Sequence, residues 1–238
     1  MNYQTARSPK RLFFDIETEA NPENLALMPE PKAPGNLKDP EKIRIAIEEK
    51  QRELIEGAAL DPDYGRVLSI GYATAPDGPV TAHAVGEVYC ARQEVNEAGE
   101  VVIIEQAYDE KDLLVGFWRV FEECAGLCVG FNILGFDLPY LLRRSMALGV
   151  KVNLTPNMAK YRTDPTTDLM MILYNWEYGK WKGLKQVAKL YKIPNECPDL
   201  DGSQIAKMDL PTLAAYQASD VKLVLGLYNL MNGVYFRH

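Results

Sequence analysis

Two acidic residues stand two positions apart in the stretch R-L-F-F-D-I-E-T, which runs from Arg11 to Thr18. Leu12, Phe13 and Phe14 form the short apolar run expected of a buried central strand. In a strand, residues i and i+2 point to one face, so Asp15 and Glu17 would project together from the strand's end. Carboxylates a few ångströms apart repel each other unless protons or cations neutralise them. The pair therefore points to metal binding or proton transfer. The competing reading is a solvated strand end, with one acid capping a loop or pairing with Arg11.

Two further sites carry acids of interest. Asp137 follows G-F-N-I-L-G-F and precedes a predicted helix with Pro139 in its first turn. A helix N-terminus favours a carboxylate by itself, so a plain N-cap accounts for Asp137 equally well. Tyr216 and Asp220 are four apart and share one helix face. They also fit a surface pair on an amphipathic helix whose Leu213, Val221, Val224 and Leu225 face the core.

The rest of the composition narrows the chemistry. Only two histidines occur, His83 and His238. Triads built on histidine thus have one internal candidate, and His83 lies in a strand-like alternation with no nucleophile beside it. It reads as structural, and the chemistry falls to carboxylates and metals. The four cysteines, Cys90, Cys124, Cys128 and Cys197, include no C-x-x-C pair and no nearby histidine, as expected of reduced thiols.

With 238 residues and 47% hydrophobic content, the expectation is one globular domain over 1–238, with an insertion at about 19–65. No apolar run approaches the ~18 residues of a membrane span, and the N-terminus lacks a signal-like apolar region. An intracellular, cytoplasmic location without membrane contact is expected. The net charge of −7 argues against a general nucleic-acid coating protein. Between Arg143 and Lys192, however, ten basic residues face only three acidic ones. A local positive face of that kind can steer a polyanion, although ordinary solvated lysines explain it as well.

These residues need a scaffold. A proline-rich loop over 19–40 leads to a charged helix that starts at Asp39-Pro40 and runs to Leu60. Strands are expected at Arg66–Thr74, Val80–Val85, Val101–Ile104 and Leu127–Phe131. Helices are expected at Asp109–Glu123, Asp137–Leu148, Gly183–Tyr191 and Leu210–Asn232. Strands and helices alternate after an antiparallel opening, which is an α/β layout.

Taken in order, D-x-E-T after an apolar strand, N-x-x-x-F-D before a helix and Y-x-x-x-D in a late helix resemble the three motifs of the DEDD exonuclease superfamily. The tyrosine in the third motif makes the chain most similar to the DEDDy branch. The wording F-D-I-E-T-E and G-F-N-I-L-G-F-D-L-P-Y-L resembles the proofreading exonuclease domains of family B DNA polymerases, over about residues 10–232. The resemblance implies a ribonuclease H-like (DnaQ-like) α/β fold, with a mixed sheet of about five strands flanked by helices. It implies a metal-dependent 3′→5′ exonuclease that hydrolyses terminal phosphodiesters of single-stranded DNA to nucleoside monophosphates.

By that resemblance, Asp15, Glu17, Asp137 and Asp220 would converge on two divalent cations, Mg²⁺ or Mn²⁺. Asp15 would bridge both, Glu17 and Asp220 would complete one, and Asp137 would serve the other. A phenol with a pKa of about 10 is a poor base at neutral pH, so Tyr216 would orient the attacking water. Asn132 and Phe136 match positions that hold the 3′-terminal nucleotides, with Thr18 at the same terminus; core packing is the alternative for Phe136. Lys182 or Lys185 is a candidate for a phosphate-facing lysine, whereas Asp168, Asp199 and Asp201 fall to loops or caps.

The chain is too short for palm, fingers and thumb domains, and its insertion is longer than the loop expected there. The resemblance thus implies a stand-alone exonuclease in a prokaryotic or viral setting, or a subunit working in trans with a polymerase or other replication protein. Its substrate would be single-stranded DNA or a frayed 3′ end in DNA replication or repair. Two alternatives remain: an RNA-directed exonuclease of the same chemistry, and a binding module whose insert helix docks a replication partner.

Overall fold

A computed structural model describes residues 10–85, 92–95, 101–107 and 109–236. In chain order the elements are β1 (Leu12–Ala20), α1 (Pro22–Leu25), α2 (Pro40–Gly57), β2 (Gly65–Ala73), β3 (Thr81–Val85), β4 (Arg92–Val95) and β5 (Val101–Ala107). There follow α3 (Glu110–Glu123), β6 (Cys128–Gly130), α4 (Asp137–Ala147), β7 (Thr166–Asp168), α5 (Leu169–Leu173), α6 (Leu184–Leu190) and α7 (Leu210–Asn232). One sheet gathers the strands in the order β4-β5-β3-β2-β1-β6-β7. Its five strands β3-β2-β1-β6-β7 are the mixed sheet expected of the ribonuclease H-like fold. β1 runs antiparallel to β2 and parallel to β6. The antiparallel pair β4/β5 lengthens the β3 edge.

β1 lies inside the sheet, which is why it carries an unbroken apolar run. Leu12, Phe14 and Ile16 pack into the core beneath α3 and α4, with Leu114, Phe117, Phe121 and Leu141. Phe13 faces the opposite layer and packs with Leu169 of α5 and with Val221 and Val224 of α7. The period of two then sends Asp15 and Glu17 to the Phe13 side, towards α7. α3 and α4 are joined by a buried ion pair, in which Arg144 donates to Glu110 (2.8 and 2.7 Å) while Glu110 also accepts the N–H of Val67.

The strand does not end at its acids, where the sequence placed its end. It continues to Ala20 because the polar E-T-E-A tail pairs with the start of β2, where Glu19 meets Arg66 (2.7 Å). A register shift between Glu17 and Thr18 breaks the ladder there, the kind of irregularity that re-aims side chains next to a site. α2 begins as expected: Asp39 accepts the N–H of Glu41 and Pro40 takes the first turn. No residue of α2 is buried. β7 and α5 had no sequence counterpart, because T-T-D is a buried strand without an apolar residue. Cys124 caps α3 and Cys128 opens β6, both as free thiols. Cys90 lies outside the described residues.

Candidate active site

Asp15 and Glu17 of β1 meet Asp220 of α7, with one carboxylate oxygen from each lying within 4.8 Å of the others. The helix can come this close because Gly71 of β2 is the register partner of Asp15. A Cβ on Gly71 would stand 2.6 Å from Cγ of Gln217 and 2.8 Å from Cγ2 of Val221. Glycine inside a strand marks such an approach. Gln217 is fully buried and joins the two elements. Its Nε2 donates to Oδ2 of Asp15 (2.9 Å), and its Oε1 accepts from Oγ of Ser69 (2.6 Å). The acceptor-only carboxylate fixes which end of the amide faces it, and the serine hydroxyl donates to the other end.

Burial, followed by the charges of Glu17, Asp137 and Asp220, pushes the Asp15 carboxyl well above the usual carboxylate range, against the donating Gln217. Burial and the charges of Asp220 and Asp137 raise Glu17 likewise, with Lys185 opposing. Asp220 is raised by burial and pulled back by Lys185 and Tyr216. A cluster of this kind holds protons unless cations replace them. Oδ1 of Asp220 is buried with no hydrogen-bond partner among the described residues. An all-oxygen donor set with an unmade bond fits a hard divalent cation such as Mg²⁺ or Mn²⁺.

Asp137 is not one of that trio. It opens α4 next to the trio, after Phe136, whose side chain makes no capping bond. Burial lifts its pKa to about 7, with Asp168 adding to the shift, while its own N–H and that of Ile16 oppose it. Its charge is nonetheless felt by Asp15 and Glu17.

Tyr216 is buried and hydrogen-bonds to Asp220. Burial and the charges of Glu17, Asp220 and Asp15 raise its phenol further, so it stays protonated. Lys185 donates to its hydroxyl (3.0 Å) and to the carbonyl of Leu200. Of the two lysines singled out in the sequence, Lys185 is thus at the acids. Lys182 reaches out over the Tyr174 ring instead.

The remaining sequence candidates surround this centre. Asn132 has φ 65°, a left-handed conformation that asparagine tolerates. Its N–H and that of Leu134 donate to the two carboxylate oxygens of Asp168 (3.0 and 2.9 Å), whose Oδ1 also caps α5. Asp168 is therefore a cap that also ties down the loop leading to Asp137. Asp201 caps a short 3-10 turn. Phe136 is half-buried, its ring 5.4 Å from that of Tyr140. The Thr18 hydroxyl donates to the Ala59 carbonyl (2.7 Å), which also accepts from Tyr140. The end of the insertion is thereby anchored beside the site strand.

The residue that sequence reasoning missed is Gln217. Its signal was present: a polar residue between Ala214 and Val221, on the helix side that is otherwise apolar.

A solved structure of the family B DNA polymerase from the hyperthermophilic archaeon Pyrobaculum calidifontis is similar over 94% of this chain, with TM-score 0.57 and 22% identity. The chain spans about a quarter (24%) of that polymerase; the likeness carries the fold. No curated protein matches the chain. A family model described as "Predicted 3'-5' exonuclease related to the exonuclease domain of PolB" matches residues 79–229. That stretch includes Asn132, Phe136, Asp137, Tyr216 and Asp220, while Asp15 and Glu17 precede it. With well over half of its length matched, the chain belongs to this family of predicted 3′-5′ exonucleases related to the PolB exonuclease domain.

Proposed function

We propose that residues 1–238 act as one exonuclease domain that hydrolyses single-stranded DNA from its 3′ end and releases nucleoside 5′-monophosphates. The observation that carries this reading is the meeting of Asp15 and Glu17 with Asp220, brought from opposite ends of the chain. Two divalent cations, Mg²⁺ or Mn²⁺, would neutralise charge on the attacking and leaving oxygens of an in-line displacement. Asp15, Glu17, Asp137 and Asp220 would hold them. Water adds to the terminal phosphorus, the P–O3′ bond breaks, and the released 3′ oxygen takes a proton. Tyr216, kept protonated and braced by Lys185, orients the water rather than deprotonating it. Asn132 and Phe136 hold the terminal nucleotides. Thr18, whose hydroxyl is engaged with Ala59, shapes the floor beneath them. The strand arrives as free single-stranded DNA or a frayed end, presented by a polymerase or another replication protein in trans.

The test is 5′-labelled single-stranded DNA incubated with protein and Mn²⁺, with labelled RNA run in parallel. A ladder shortening from the 3′ end is expected, and chelation should remove it. Asp15→Ala and Asp220→Ala should each abolish cleavage, because a cation's ligand is lost, with the fold kept. Tyr216→Phe should be milder. Full activity in Asp15→Ala would overturn the assignment, and degradation of RNA alone would move the substrate class.

A further inference from the structure

The segment between α4 and β7 and the loop between α5 and α6 carry aromatic residues that hydrolysis does not use. Together with Asn132 and Gly135 they line a cleft of about 470 Å³. Tyr161, Trp176, Tyr178 and Trp181 supply its rings, with Lys160 at its side. The rings form two pairs, Tyr161 with Trp176 (5.5 Å) and Tyr178 with Trp181 (5.2 Å). The tyrosines are outermost, 73% and 88% exposed. Tyr161 and Trp176 hold φ of 62° and 57°, a left-handed conformation that bulky residues rarely adopt and that marks functional segments. The indole N–H groups of Trp176 and Trp181 are buried without a hydrogen-bond partner among the described residues.

The charge around the cleft is positive. Lys160, Arg162, Lys180 and Lys182 lie in the same stretch. Of the nearby acids, Asp168 is committed to main-chain N–H groups and Asp164 to Arg11. Only Glu177 answers a lysine there, Lys180, among the described residues. Exposed rings with unmatched cations suit a polyanion with flat faces: a single strand of nucleic acid. Asn132 and Gly135 make the cleft continuous with the loop that ends at Asp137.

We infer that this cleft stacks the bases of a single strand a few nucleotides before the terminus that reaches the acids. The inference rests on the proposed function for the strand's direction. Stacking needs unpaired bases, so the cleft also selects against duplex ends, and it tolerates any base because each has a π-face.

Tryptophan emission tests this directly, because Trp118, the third of the three tryptophans, is buried and bonded to Ser145 (2.7 Å). Full-length Asp15→Asn protein in chelator is titrated with an oligothymidylate of about eight nucleotides, within the usual range of single-strand sites. Thymidine monophosphate and a blunt duplex serve as comparisons. The oligomer should quench the emission, and the comparisons should quench it far less. Tyr161→Ala and Tyr178→Ala, both exposed, should each weaken oligomer binding roughly 5- to 150-fold, with unchanged melting temperatures. Tyr191→Ala, also exposed but away from the cleft, should bind as the parent does. Absent quenching, equal quenching by the monophosphate, or undiminished binding by both tyrosine variants overturns the inference. In those cases a surviving 3′ ladder leaves the exonuclease reading intact. Quenching without any cleavage by the wild-type protein overturns hydrolysis and keeps the cleft.

Discussion

At the scale of single residues, the acids depend on a neutral one. Gln217 holds Asp15 by one end of its amide while Ser69 holds the other. Partners of this kind, behind a metal ligand, typically contribute 10- to 100-fold to metal affinity or activity. Gln217→Leu should therefore lower cleavage by about that factor and raise the Mn²⁺ concentration needed for half-maximal rate. Metal-titrated kinetics with single-stranded DNA as the proposed substrate check it, and an unaltered Mn²⁺ dependence would reduce Gln217 to a packing residue. Spacing put Asp15 with Glu17, i+2 on a strand, and Tyr216 with Asp220, i+4 on a helix, on shared faces, but that these acids form one site was implied only by the resemblance of the three motifs to known exonucleases. Gln217 stands out in the sequence as polar on an apolar helix side, but its role could not be read there, because its partner Asp15 is more than two hundred positions away. Lys185 and Lys182 could not be separated from sequence for the same reason: only the packing of α6 on α7 decides which one meets Tyr216.

At the scale of elements, the site exists because β2 lets α7 approach. Gly71 has no room for a methyl group. Gly71→Ala should destabilise the protein by about 1–3 kcal/mol, as overpacking commonly does, and should lower activity by moving Asp220 and Gln217 off β1. Gly116 is the contrast. It lies within α3, where an added Cβ meets nothing within 4 Å. Gly116→Ala should be neutral or stabilise by about 0.5–1 kcal/mol. Paired denaturant melts and cleavage rates test both; equal effects of the two substitutions would refute the packing argument. The strand R-V-L-S-I-G-Y-A-T was legible from its pattern, but the reason for its glycine was not, since that requires knowing which helix crosses it. β7 escaped notice because its burial comes from position in the sheet rather than from apolar side chains.

At the scale of the whole molecule, four acids crowded together, Asp137 and Asp220 buried and Asp15 and Glu17 half-buried, make the protein's stability depend on protons and cations together. Asp137 titrates near 7 in the folded chain, against about 3.9 when unfolded. Between those values the folded state keeps a proton that the unfolded state has lost, so stability falls as pH rises through that window. Asp15, Glu17 and Asp220 are raised as well and act in the same direction. The chelated protein should therefore melt lower at pH 7.5 than at pH 5.5. Mn²⁺ should raise the melting temperature more at the higher pH, and Asp15→Asn should flatten both responses relative to wild type. Thermal melts with and without Mn²⁺ decide the matter; a wild-type profile indifferent to the metal would count against a cation site. Much of the layout was readable in advance because the resemblance of three ordered motifs to known exonucleases implied which elements converge. The positive stretch Arg143–Lys192 was visible too, but only the fold shows that part of it borders an aromatic cleft.

The stitching of β1 to α7 has a consequence for how such a protein comes into being. A ribosome-held chain that has emerged only through α6 owns Asp15, Glu17 and Asp137, yet lacks Tyr216, Gln217 and Asp220 altogether. Under the proposed activity such a chain is inert, and it is armed only when α7 seats against β1.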